Sequence, residues 1–117
     1  MTRIRTNQGI ITISNQVYTT IAGVAATNCF GVKGMPLRSM KDGLVHMLRR
    51  ESMAKGVHIS VNEDNTISID LHIMVDQGIN IAAVSESIME QVRYVVTNAT
   101  GTEVKDVNIF VDSVVLD

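Results

Sequence analysis

The feature that most restricts this chain is a pair of alternating segments joined by a short polar stretch. Val57, Ile59 and Val61 alternate with His58, Ser60 and Asn62. After Glu63-Asp64-Asn65, Ile67, Ile69, Leu71, Ile73 and Val75 alternate with Ser68, Asp70, His72 and Met74. Successive side chains of a strand point to opposite faces, so a period of two makes one face apolar and the other polar. Two such runs around an Asp-Asn turn predict an antiparallel hairpin over 57–75 with one buried face. Only registers that shift by whole pairs keep both apolar sets on that face. The register expected from a short turn sets His58 opposite His72.

A hairpin needs a cover for its apolar face. Three segments have the helical period that would supply one. Residues 15–28 follow Ser14, a good N-cap, with Ile13 and Tyr18 spaced as a hydrophobic staple. The expected core stripe there is Val17, Ile21, Val24, Ala25 and Asn28. A second helix is expected over about 40–53, with Met40, Leu44, Met47 and Leu48 on its apolar side and Gly56 beyond its end. Gly78 ends the hairpin, and Asn80 caps a third helix over about 80–98 whose stripe is Ile81, Val84, Ile88, Val92 and Val95. A short strand before the first helix (Gly9–Ser14) and a last one through Val107, Ile109 and Val111, with a possible extension to Leu116, complete the order.

Strands and helices interleave, yet the hairpin is antiparallel. The expected class is therefore α+β: one two-layer domain over 1–117, with three helices on one face of a mixed sheet. If residues 67–111 form parallel strands joined by a helix, the crossover should be right-handed. Aromatic residues are only 3% of the chain, with no Trp, so the core has to be aliphatic.

Net charge is −2, which argues against a general binder of polyanions. The charge is uneven, however. Between residues 33 and 55, Lys33, Arg38, Lys41, Arg49, Arg50 and Lys55 outnumber Asp42 and Glu51, whereas acidic residues dominate elsewhere. Lys41, Arg49 and Arg50, off the apolar stripe of the second helix, are the candidate contacts to an acidic partner or to anionic headgroups. Residues 6–32 carry no charge. Thr, Asn, Gln and Ser interrupt them repeatedly, and a membrane-spanning helix needs roughly 20 mostly apolar residues, so no span is expected. Met1-Thr-Arg-Ile-Arg5 is not followed by the apolar stretch of a signal peptide. The single cysteine, Cys29, has no partner for an internal disulfide and is expected to be a buried structural thiol in a reducing compartment.

Chemistry-bearing patterns are sparse. No nucleophile motif, Walker loop or dinucleotide glycine pattern is present, and neither catalysis nor a cofactor is expected. His58 and His72 on one sheet face near Asp70 could offer two imidazoles and a carboxylate, but two solvated histidines are the plainer reading, and no metal is expected. Gly31-Val-Lys-Gly34 matches the Gly-x-x-Gly loop that clamps nucleic-acid backbones in one class of RNA-binding domain. With the basic segment 33–55 it supports an alternative, nucleic-acid-binding reading, disfavoured because Pro36 spoils the helix–loop–helix spacing and the sheet lacks stacking aromatics.

An ordered set of short motifs spans residues 3–115. It begins with Gly9-Ile-Ile-Thr-Ile-Ser-Asn15, an Ala-rich helix and Gly31-Val-Lys-Gly-Met35. Lys41-Asp-Gly-Leu44, Lys55-Gly-Val57, Asp70 within its strand, Ile81-Ala-Ala-Val84 and Val107-Asn-Ile-Phe-Val111 follow in order. This set resembles the alkaline shock protein family of Gram-positive bacteria, in particular its short, YloU-like members. The resemblance implies a role in the cell-envelope stress response, without catalytic residues. It also implies a cytoplasmic protein, held at the membrane through a membrane-anchored protein partner or assembled with copies of itself. The expected function is thus a non-enzymatic interaction or scaffolding protein.

Overall fold

The structure is a computed structural model that describes residues 1–29, 31–34 and 56–116. The expected helix over 40–53 lies outside the described residues. So do Lys41, Arg49 and Arg50. Within the described residues the class is α+β, with two helices and two sheets.

The hairpin forms as β4 (Val57–Val61) and β5 (Ile67–Asp76). (The strands preceding it are β1, Thr2–Thr6, β2, Gly9–Ile13, and β3, Val32–Gly34.) Its register differs by one pair from the expected one: His58 lies opposite Asp70, and Val57, Ile59 and Val61 lie opposite Leu71, Ile69 and Ile67. The turn decides this. Asn62 N–H donates to Thr66 O at 2.8 Å, Asn65 N–H donates to Asn62 O at 3.0 Å, and Asn65 is left-handed at φ 69°. Three loop residues ending in a left-handed residue match the twist of the strands, and Asn tolerates that conformation. The shift is a whole pair, so the apolar face is kept: Ile67, Ile69, Leu71, Ile73 and Val75 are all buried. Asp64 accepts from the Thr66 hydroxyl at 2.7 Å and from the Thr66 N–H at 3.2 Å. These bonds, the hydroxyl foremost, hold its carboxyl below the usual carboxylate range.

Both edges of β5 are occupied. The last strand, β6 (Val104–Val115), runs parallel along one edge. On the other edge β4 covers the first half of β5, and β3 covers Met74 and Val75, also antiparallel. The strand β3 was not expected. Within Gly31–Gly34, the stretch with the Gly-x-x-Gly pattern, Val32 and Gly34 pair with the sheet. Gly31 turns the chain into β3 at φ +89°, and a Cβ there would sit 3.3 Å from a Val84 methyl.

Two helices cover the apolar face. The first, α1 (Asn15–Thr27), packs over β3 and β4. Ser14 stands at its N-cap, but its side chain makes no capping bond. The buried residues are Tyr18, Ala22, Ala25 and Ala26, so α1 is rotated from the expected stripe: Val17, Val24 and Asn28 are exposed and Ile21 half-buried. Alanines win the core face because they let the helix lie close to the sheet. The second helix, α2 (Ile81–Thr100), packs over β6. Asn80 Oδ1 accepts from Ala83 N–H at 3.0 Å, and Gly101 ends the helix in the left-handed conformation. Ile88, Val92 and Val96 are its core residues, while Ile81 is exposed.

The N-terminal strands depart furthest from expectation. Gly9–Ile13 does not join the main sheet but pairs antiparallel with β1 as a separate two-stranded sheet. Such a pair is marginal alone, and polar tethers hold it. Asn65 Nδ2 donates to Arg3 O at 2.6 Å, and Arg3 N–H returns a bond to Asn65 Oδ1 at 3.3 Å. The buried Tyr18 hydroxyl bonds the Thr2 hydroxyl, and lies 2.6 Å from the Thr102 hydroxyl beyond α2.

Leu71→Ala is expected to lower unfolding free energy by about 2–5 kcal/mol in urea titrations, since it empties a fully buried site. Tyr18→Phe leaves two buried threonine hydroxyls short of a partner and is expected to cost about 1–3 kcal/mol. For Asp64 the folded-state pKa is depressed, so its stabilisation is present above the unfolded value and lost as pH falls through the folded one. Asp64→Asn should therefore be less stable than the parent at neutral pH, with the gap closing in acid, measured by thermal melts across pH.

Candidate docking surface

The face of the main sheet turned away from the helices is polar and ordered in rows. Parallel pairing sets Ser68 beside Asp106, Asp70 beside Asn108 and His72 beside Phe110. Each row has a direct contact. Ser68 Oγ donates to Asp106 Oδ2 at 3.1 Å, and Asn108 Nδ2 donates to Asp70 Oδ1 at 2.9 Å. The rings of His72 and Phe110 stack with centroids 4.7 Å apart and planes 13° from parallel. His58 meets His72 edge to face at 6.0 Å. Phe110 remains 45% exposed, so its outer ring face is open to a partner.

Beside this face runs the edge of β6, which among the described residues pairs with β5 alone. Two irregularities divide it: Lys105 and Asp112 are each an extra residue opposite no partner in β5. Bulges of this kind twist an edge and re-aim side chains. Asp112 is turned so that a carboxylate oxygen lies 3.1 Å from His72 Nδ1. Exposed Phe110 and Val114 lie along the same strand, and exposed Leu116 follows its end. A strand edge offers unpaired N–H and C=O groups, and flanking apolar side chains supply pockets; together they suit an added strand.

His58 and His72 do share a face, as the alternation predicts, but as diagonal rather than opposed neighbours. Among the described residues no group of three His, Cys, Asp or Glu side chains is arranged to hold a metal ion. Cys29 is partly rather than fully buried; its thiol donates to Ala25 O at 3.2 Å, and burial pushes its pKa up. Phe110 and Asp112 were missed by the sequence reading. Their signal is the parallel register, which alternation in β6 does not reveal by itself.

Comparison with known proteins gives a consistent answer. Residues 3–116 match the profile of the alkaline shock protein family, described as having a cell envelope-related function. The uncharacterized protein YloU of Bacillus subtilis is 39% identical over 112 residues, covering 95% of this chain and 92% of its own. The uncharacterized protein Spy1614 of Streptococcus pyogenes is 35% identical, covering 96% and 93%. The uncharacterized protein YqhY of Bacillus subtilis is 30% identical, covering 96% and 82%. No solved structure matches the chain.

Less thiolate at a given pH means slower attack on disulfides. Cys29 is therefore expected to react with Ellman's reagent more slowly in the folded chain than in urea, the difference shrinking as pH rises.

Proposed function

The chain belongs to the alkaline shock protein family, and from that membership we propose that it is a non-enzymatic interaction module serving the cell envelope. It works on the cytoplasmic side, docked to a protein partner that is anchored in the membrane. No helix among the described residues is long and apolar enough to cross a membrane, so attachment through a partner is the simplest route to the envelope. The observation that carries this reading is the edge of β6, open among the described residues, with exposed Phe110 and Val114 along it and exposed Leu116 just beyond its end. Backbone pairing at the edge supplies affinity, and Phe110 with the polar rows beside it supplies selectivity.

Lys41, Arg49 and Arg50 are a second contact in this reading, directed at an acidic partner or anionic headgroups. Each near-surface basic residue adds about 1 kcal/mol of attraction to an anionic membrane, so three anchor a protein only weakly. A protein partner is accordingly favoured over lipid alone. The same open edge also supports a scaffolding variant, in which the strand pairs with another copy of the chain.

The test is membrane fractionation with cross-linked capture from cells. Phe110→Lys with Val114→Lys is expected to move the protein out of the membrane fraction. Both side chains are more than a third exposed, so stability should change by less than about 1 kcal/mol. Reversing charge at Lys41, Arg49 and Arg50 is expected to weaken capture further. Unchanged fractionation of both variants contradicts the docking reading. Light scattering across concentration addresses the scaffolding variant, which a strict monomer at high concentration would exclude.

A further inference from the structure

The bonding of β6 to β5 fixes which backbone groups of its outer edge are on offer. Ile67 N–H donates to Glu103 O, whereas His72 N–H and Asp76 N–H donate across the opposite edge, to Gly56 O and Gly31 O. Odd-numbered residues of β5 thus bond toward β6 and even-numbered ones away from it. In a parallel ladder such a residue bonds the neighbours of its partner rather than the partner itself. Ile69, Leu71 and Ile73 have Val107, Ile109 and Val111 as partners, so the N–H and C=O groups of those three are directed away from β5. They fill the regular stretch between the extra residues Lys105 and Asp112. A strand added there finds three successive bonding positions, which a segment of about five residues matches.

The two sides of this stretch differ in chemistry. Toward the helices, Val107 is buried, and Ile109 and Val111 are only partly buried against the core. Side chains set opposite them cover apolar surface, which suits aliphatic residues. On the far side an added strand meets Asn108 and Phe110. One face of the Phe110 ring is stacked on His72, so the other is turned toward the place of the added strand. Asp112 holds a carboxylate oxygen 3.1 Å from His72 Nδ1, beside this ring. An aromatic face and a carboxylate at one spot suit a cation, whose alkyl stem can lie along the ring. Lys105, the basic residue of β6, stands at the other end of the stretch, with the Arg93 guanidinium 3.5 Å from its C=O. A second copy of β6 is the poorer occupant. Paired antiparallel about Ile109, it would set Asn108 opposite Phe110 and Asp106 opposite Asp112, with no cation on the ring and like charges facing each other.

Resting on the docking reading above, we infer that the partner presents an extended segment in which aliphatic residues alternate with Lys or Arg. Its backbone pairs with Val107, Ile109 and Val111, and a basic side chain lies over Phe110 beside Asp112. The aliphatic side chains extend the apolar face under the helices, and the cation extends the row that runs from His72 through Phe110.

The probes are three end-capped pentapeptides, Val-Lys-Val-Lys-Val, Val-Gln-Val-Gln-Val and Val-Glu-Val-Glu-Val, titrated into the full-length protein at low salt and followed by amide NMR. The Lys peptide is expected to slow exchange at Val107, Ile109 and Val111, while Asn108 and Phe110, already bonded to β5, keep their rates. It should bind at least about fivefold more tightly than the Gln peptide, and the Glu peptide more weakly than either. Asp112→Asn, at an exposed position, should reduce the preference for Lys over Gln to about twofold or less. Equal binding of the Lys and Gln peptides, or a preference unmoved by Asp112→Asn, would overturn this proposal and leave the docking edge standing. No slowing at Val107, Ile109 and Val111 with any of the three peptides would overturn both.

Discussion

Strand β5 is the constraint from which the remaining structure follows. Its inward residues, Ile67, Ile69, Leu71, Ile73 and Val75, are fully or almost fully buried. Its backbone is paired on both edges, by β6 on one and by β4 and β3 in succession on the other. A strand so placed cannot shift by one residue without turning its apolar set toward solvent. It therefore fixes the side on which the helices pack, the order of the polar rows on the far side, and the edge that stays open among the described residues. With few aromatics to fill volume, packing relies on branched aliphatic side chains against a nearly all-alanine helix face. This brings α1 close to the sheet at the expense of burying its larger side chains.

Two consequences for function come from this arrangement. Among the described residues, helices cover one sheet face, and the other face presents Ser68, Asp70, His72, Asp106, Asn108 and Phe110, which contact one another along rows. Among the described residues the outer edge of β6 is unpaired and irregular: Lys105 and Asp112 interrupt its pairing with β5, and the second of them brings a carboxylate to His72 beside the exposed Phe110 ring. The docking proposed for this member of a family with a cell envelope-related function rests on that edge.

Much of the fold was legible because the signals were redundant. Alternation, turn residues and the Asn80 and Gly101 caps each point to the same elements around 57–76 and 81–100, and the structure has them there. Features set by tertiary context were less legible. The hairpin register turned on Asn65 adopting a left-handed conformation, which leaves the alternation unchanged. The rotation of α1 was hidden because both stripes are apolar; size rather than hydrophobicity chose between them, and the alanines won. Short strands such as β3, and β1 with its Arg3 and Arg5, lack the length or the alternation to stand out. The pairing of His72 with Phe110 depends on a parallel register across a 20-residue helix, a long-range fact with no local mark.

Amide hydrogen exchange on the free, full-length chain tests this account most directly. The slowest amides should be those of Ile67 to Val75, with β6 divided between protected amides directed at β5 and fast-exchanging amides directed away from it. Uniform protection of β6, equal to that of β5, would mean that the supposed open edge is already paired. Rapid exchange along β5 would mean that it is not the strand on which the fold is built.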